Sequence, residues 1–123
     1  IVAVADEKDP AQDSDKAITA LKDKEGERLL KHIRDDDFVV TLEILGKELD
    51  TLAFADTLRR WETAGHTHLV IGGSYGLGDD VLRRSNFALS FSKLTFPHQL
   101  MRVLFCEQLY RCARINSGQK YHK

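Results

Sequence analysis

With 123 residues, 42% of them apolar and 30% charged, and a net charge of −1, the chain has the balance of one soluble globular domain spanning residues 1–123. No apolar run approaches bilayer length, which argues against a membrane class, and no charged-then-apolar signal opens the chain. Cys106 and Cys112 fit neither zinc nor redox-motif spacing and read as reduced helix residues of a cytoplasmic protein. The near-zero charge hides an asymmetry. Residues 80–123 carry eight Lys and Arg against Asp80 and Glu107, while the remainder carries ten basic and seventeen acidic side chains. A basic half on a near-neutral protein points either to a local polyanion site or to a helix with a solvated basic face.

The chain opens on Ile1-Val2-Ala3-Val4, a strand signal without an initiating Met, and reads as a fragment or a trimmed product. A polar loop with Pro10 follows. Ser14 or Asp15 caps a predicted helix to about Ile33, with Ile18, Leu21, Leu29, Leu30 and Ile33 near one face, and Asp35-Asp36-Asp37 break it. The β-branched run 38–44 predicts a strand ended by Gly46. Thr51 is expected to cap a second helix with the stripe Leu52, Phe54, Ala55, Leu58 and Trp61, stopped by Gly65. A strand at 68–71 runs into the glycine loop Gly72-Gly73-Ser74-Tyr75-Gly76-Leu77-Gly78. A short helix (79–86), a strand (87–91) and a final helix from Pro97 to Ile115 complete the series. Alternating helices and strands predict a parallel α/β sheet.

The strand 87–91 empties into Ser92-Lys93-Leu94-Thr95-Phe96-Pro97-His98. Polar residues at a strand's C-terminal end beside a helix start are where open α/β sheets bind ligands. The glycine loop matches neither the G-x-G-x-x-G nor the Walker pattern, so it reads equally as a tight turn or as a nucleotide-type site. The missing fingerprint at the first strand turn also argues against a Rossmann dehydrogenase. His66 and His68 alternate without a third ligand at zinc spacing, so no metal is expected. His98, in the first helical turn, can order the ligand loop, contact substrate or simply bond to backbone. Arg102, Arg111 and Arg114 read as phosphate contacts or as a solvated face. Phe105, Leu109 and Ile115 read as core or subunit interface. No Ser-His-Asp set, Cys-His pair or carboxylate pair is identifiable, which disfavours hydrolysis. Group transfer with an activated cofactor needs fewer side chains.

Several strings occur in order: Leu42-Glu43 with Gly46-Lys47, Ile71 to Leu77, Ser90 to His98, Glu107-Gln108 with Tyr110-Arg111, and Gly118 with Tyr121-His122-Lys123. Together they closely resemble the bacterial 23S rRNA pseudouridine-N3 methyltransferase family, the H-type large-subunit enzymes of the SPOUT superfamily. The resemblance implies a trefoil-knotted α/β domain, S-adenosylmethionine (SAM) as cofactor and a homodimer. Its methyl acceptor would be a pseudouridine in the large-subunit decoding stem-loop of assembled ribosomes. Carried over by position, Leu42, Gly72 and Phe91-Ser92-Lys93-Leu94-Thr95-Phe96 would hold the cofactor. Tyr121 and His122 would stand near the acceptor, with His98 and Arg102 on the helix lining the site. Family members begin with a further strand and helix that this chain lacks, so a non-catalytic SAM- or nucleotide-binding module, or an inactive truncated product, is the competing expectation.

Overall fold

Local sequence signals start the elements. The computed structural model describes residues 14–63, 65–73 and 75–123; the strand expected at 1–4 and the loop around Pro10 lie outside them. Ser14 accepts the Ala17 N–H at 3.2 Å and opens α1 (Asp15–Leu30). This satisfies one of the four unpaired donors of a helix start. The second cap differs from expectation. Asp50, not Thr51, accepts the Ala53 N–H at 2.8 Å, and Thr51 is already the first residue of α2 (Thr51–Glu62). Both residue types cap well, and the carboxylate wins by being one position earlier. The short helix α3 (Asp79–Arg84) follows the glycine loop, and α4 (His98–Asn116) starts behind Pro97 as expected.

Three parallel strands, β1 (Phe38–Glu48), β2 (Thr67–Val70) and β3 (Phe87–Ser90), form a sheet in the order β2-β1-β3. The alternation of β1 sorts its side chains between two cores. Val39 packs with Val70 and Val81 against Leu29, Leu30, Ile33 and Leu77, beneath α1 and α3. Val40 packs with Phe54, Ala55, Trp61, Leu89, Phe105 and Cys112, beneath α2 and α4. Each fully buried side chain of this size contributes about 1.5–3 kcal/mol. Phe105, Leu109 and Ile115 belong to that second core, as expected.

Gly46 does not end β1. Leu89 pairs with both Leu42 and Lys47, and Ser90 pairs with Glu48. The register along β3 therefore shifts across 43–46, and this segment stays against β3. A Cβ on Gly46 would lie 2.8 Å from the Ala88 carbonyl carbon and oxygen. The Ser90 hydroxyl donates to the Ile44 carbonyl at 2.9 Å and fastens this segment.

Candidate cofactor cleft and C-terminal tail

Most of the residues expected to hold a cofactor gather at the C-terminal ends of the strands. The register pairs Thr41 with Val70 and Leu42 with Leu89, so Ile71, Gly72 and Phe91 continue just past Leu42. Leu42, Ile71 and Phe91 all pack against the same core. Gly72 sits where its loop turns back: a Cβ there would come within 2.7 Å of the Gly76 carbonyl carbon. Beyond β3, Ser90 Oγ reaches the Ser92 carbonyl at 3.1 Å, and Ser92 Oγ accepts the Leu94 N–H at 3.0 Å. The Ser90 hydrogen is shared between the Ile44 and Ser92 carbonyls, and the Ser92 hydroxyl sets the turn into Leu94.

A cleft of about 440 Å³ lies between this loop, the start of α2 and α4. Phe54, Phe91, Phe96 and Met101 supply apolar walls, and Ser92, Thr51, Asp50 and Gln108 supply polar groups. Its size and mixed lining suit a nucleoside-sized ligand. Phe91, Ser92 and Phe96 of the expected set line it. Leu42 lies within β1, Gly72 just beyond β2, and Lys93, Leu94 and Thr95 along the loop, none of them in the cleft wall.

The four residues expected near the acceptor form two groups. At the start of α4, Gln99 bonds to His98 at 3.3 Å and receives Arg102 at 3.2 Å. The tail forms the second group. Gly118 adopts φ +69°, so its N–H reaches Ile115 O at 3.0 Å and the Gln119 N–H reaches Arg114 O at 2.9 Å. This left-handed stop satisfies the last carbonyls and turns the chain back along the helix. Tyr121 then stands edge-on to Tyr110 at 5.0 Å and beneath the Arg111 guanidinium at 4.8 Å. Arg111 lies nine residues beyond Arg102, about 13 Å of helix rise. Along α4 the two groups are thus anchored about 13 Å apart.

Glu107 is the residue that sequence reasoning underrated. Its carboxylate receives Arg111 Nε at 2.8 Å and Nη2 at 2.5 Å, Gln108 Nε2 at 2.8 Å, and the Tyr121 hydroxyl at 3.4 Å. The Arg111 hydrogen bonds, opposed in part by burial, hold it below the usual carboxylate range. The Glu107–Arg111 spacing of four was the available signal. Arg111 also approaches His122 Nδ1 at 3.2 Å. Guanidinium has no acceptor, so Nδ1 accepts, and a neutral His122 ring carries its proton on Nε2. Arg114 donates to the Lys120 carbonyl at 3.1 Å. Arg111 and Arg114 thus fasten the tail rather than forming a solvated basic face; Arg102 remains exposed.

Elsewhere, His68 Nε2 meets Asp37 at 2.7 Å, a pairing no spacing rule foresaw. Among the described residues no three His, Cys, Asp or Glu side chains converge as a metal site, and no helix is long and apolar enough to cross a membrane.

Against this geometry, residues 1–122 match the family described as predicted SPOUT methyltransferase. This chain belongs to the SPOUT methyltransferase family. Two relatives of this SPOUT methyltransferase align along its whole length. The protein called ribosomal RNA large subunit methyltransferase H in Bifidobacterium animalis subsp. lactis (strain AD011) is 53% identical over 125 residues, covering all of this chain and 79% of that protein. Its namesake in Bifidobacterium adolescentis (strain ATCC 15703 / DSM 20083 / NCTC 11814 / E194a) is 52% identical with the same coverage. The α/β expectation and the family resemblance hold.

Proposed function

We propose that this SPOUT methyltransferase uses SAM to methylate N3 of a pseudouridine in the decoding stem-loop of 23S rRNA, on assembled ribosomes. The observation that carries the reading is the full-length likeness to two proteins named as large-subunit rRNA methyltransferases. The cleft beside the Phe91–Phe96 loop supports it. Its aromatic walls and polar rim fit an adenosine group, with Phe91, Ser92 and Phe96 against the ligand. Leu42, Gly72, Lys93, Leu94 and Thr95 would offer backbone groups, as the glycine loop and strand ends suggest. When bound, SAM supplies an electrophilic methyl group.

The chain's own residues do the rest by position, an effect that reaches about 7–11 kcal/mol of barrier. His122, with Nδ1 taken by Arg111, presents Nε2–H to a uracil carbonyl. Tyr121 donates its hydroxyl hydrogen to Glu107, and its oxygen accepts a hydrogen bond from N3–H that orients the uracil ring; the N3 proton itself passes to solvent water as the N–CH3 bond forms. Arg102 anchors a phosphate or a base edge, and His98 orders the approach to the site. Because the His98–Arg102 and Tyr121–His122 groups stand apart on one chain, a homodimer that sets the tail of one copy against the α4 start of the other unites them. The outer face of α4 supports that dimer. Leu100, Val103 and Tyr110 are exposed while Phe105 and Cys112 are buried on the opposite side, and a helix apolar on both faces is normally covered.

Methyl transfer from labelled SAM to ribosomes lacking this modification tests the reading. Label at N3 of the decoding-loop pseudouridine is expected; no transfer from folded protein, or label elsewhere, overturns it.

A further inference from the structure

We propose that Thr51 and Gln108 are a positioning pair that sets the C-terminal tail from the wall of the cleft. The inference rests on the functional reading above, with cofactor in the cleft and Tyr121 and His122 at the acceptor. It begins with the cap of α2. Because Asp50 caps that helix, the Thr51 hydroxyl is released from the role expected of it. It donates instead to Gln108 Oε1 at 3.0 Å, across the contact between α2 and α4. A primary amide has one oxygen and one nitrogen, so committing the oxygen to Thr51 dictates where the nitrogen points. Gln108 Nε2 reaches Glu107 Oε2 at 2.8 Å.

Adjacent helix residues do not face each other, so a side-chain bond between positions 107 and 108 selects one rotamer of each. The other oxygen, Glu107 Oε1, receives Arg111 and Tyr121. Arg111 in turn holds His122. Every donor in this series is dictated by the acceptor before it, from two residues lining the cleft to the two tail residues assigned to the acceptor. The polar atoms of Thr51 and Gln108 are engaged with one another and with Glu107. They therefore act through Glu107 rather than on the reacting atoms.

The test is a double-mutant cycle between Thr51→Val and Tyr121→Phe, residues without direct contact in the series. Thr51→Val keeps side-chain shape and removes the hydroxyl. It is expected to lower kcat on ribosomes about tenfold. Thr51→Ser should restore turnover. In the Tyr121→Phe background the further loss should nearly vanish, because the hydroxyl that Glu107 orients is already gone. Hydrogen exchange at residues 119–123 supplies a readout that needs no activity, and Thr51→Val should accelerate it. Additive losses, wild-type kcat in Thr51→Val or unchanged tail exchange would overturn the pair. If the wild-type protein transfers no methyl group, the functional reading fails and tail exchange alone decides the pair. Should Thr51→Val not fold, Gln108→Met takes its place in every arm.

Discussion

Gly46 meets the backbone of β3 so closely that one added methyl group decides whether the segment 43–46 fits. The neighbouring atoms are the Ala88 carbonyl at 2.8 Å and Leu89 C at 2.9 Å, backbone that cannot rotate aside. Gly46→Ala should therefore lose about 1–3 kcal/mol, the range for overpacking, seen as a lower urea midpoint at unchanged slope. Asp37 makes a different residue-scale prediction. The Arg34 N–H is the leading cause, with His68 adding to it and burial opposing, of a carboxyl titrating below its ordinary value. The native state then binds fewer protons than the unfolded chain across that window. The contribution is complete above the ordinary carboxylate range and lost as pH falls through the native titration. Urea midpoints should decline on acidification, and Asp37→Asn should flatten that decline while lowering stability at neutral pH. Neither position was legible in the sequence for its role. Gly46 read as a strand terminator, because nothing local reveals a second strand beneath it. The Asp37–His68 pair joins residues thirty-one apart.

At the scale of elements, α4 presents two predictions on its two faces. Cys106 is exposed, whereas Cys112 is wholly buried and burial raises its thiol. In the monomeric Val103→Glu variant, where the outer face of α4 is uncovered, an alkylating reagent should label Cys106 rapidly and Cys112 only on unfolding, counted by mass spectrometry; equal rates would contradict the packing of α4 on α2. The end of α4 matters as much. Gly118 holds the left-handed conformation that reverses the tail, which costs an L-residue about 1–2 kcal/mol. Gly118→Ala should loosen residues 119–123 and raise their hydrogen exchange without unfolding the core. Helix and strand positions were largely readable here, since capping residues, β-branched runs and Pro97 are local signals. Boundaries failed where two local signals competed, as at Asp50 and Thr51, or where tertiary pairing carried β1 past its glycine.

For the whole molecule, the outer face of α4 decides the assembly. Val103 is 65% exposed at its centre. Val103→Glu should convert the proposed dimer to monomer by light scattering and abolish ribosome methylation; a wild-type mass would move the interface elsewhere. The residues themselves determined the layered α/β order, the family and the polar loop 91–98, because periodicity, caps and ordered motifs are written over short stretches of chain. Only the tertiary structure decided that 43–46 packs against β3, that Asp50 frees Thr51 for Gln108, and that Arg111 and Arg114 fasten the tail. Those outcomes depend on which of several chemically able partners the folded backbone brings within hydrogen-bond reach, and distance along the chain does not set that reach.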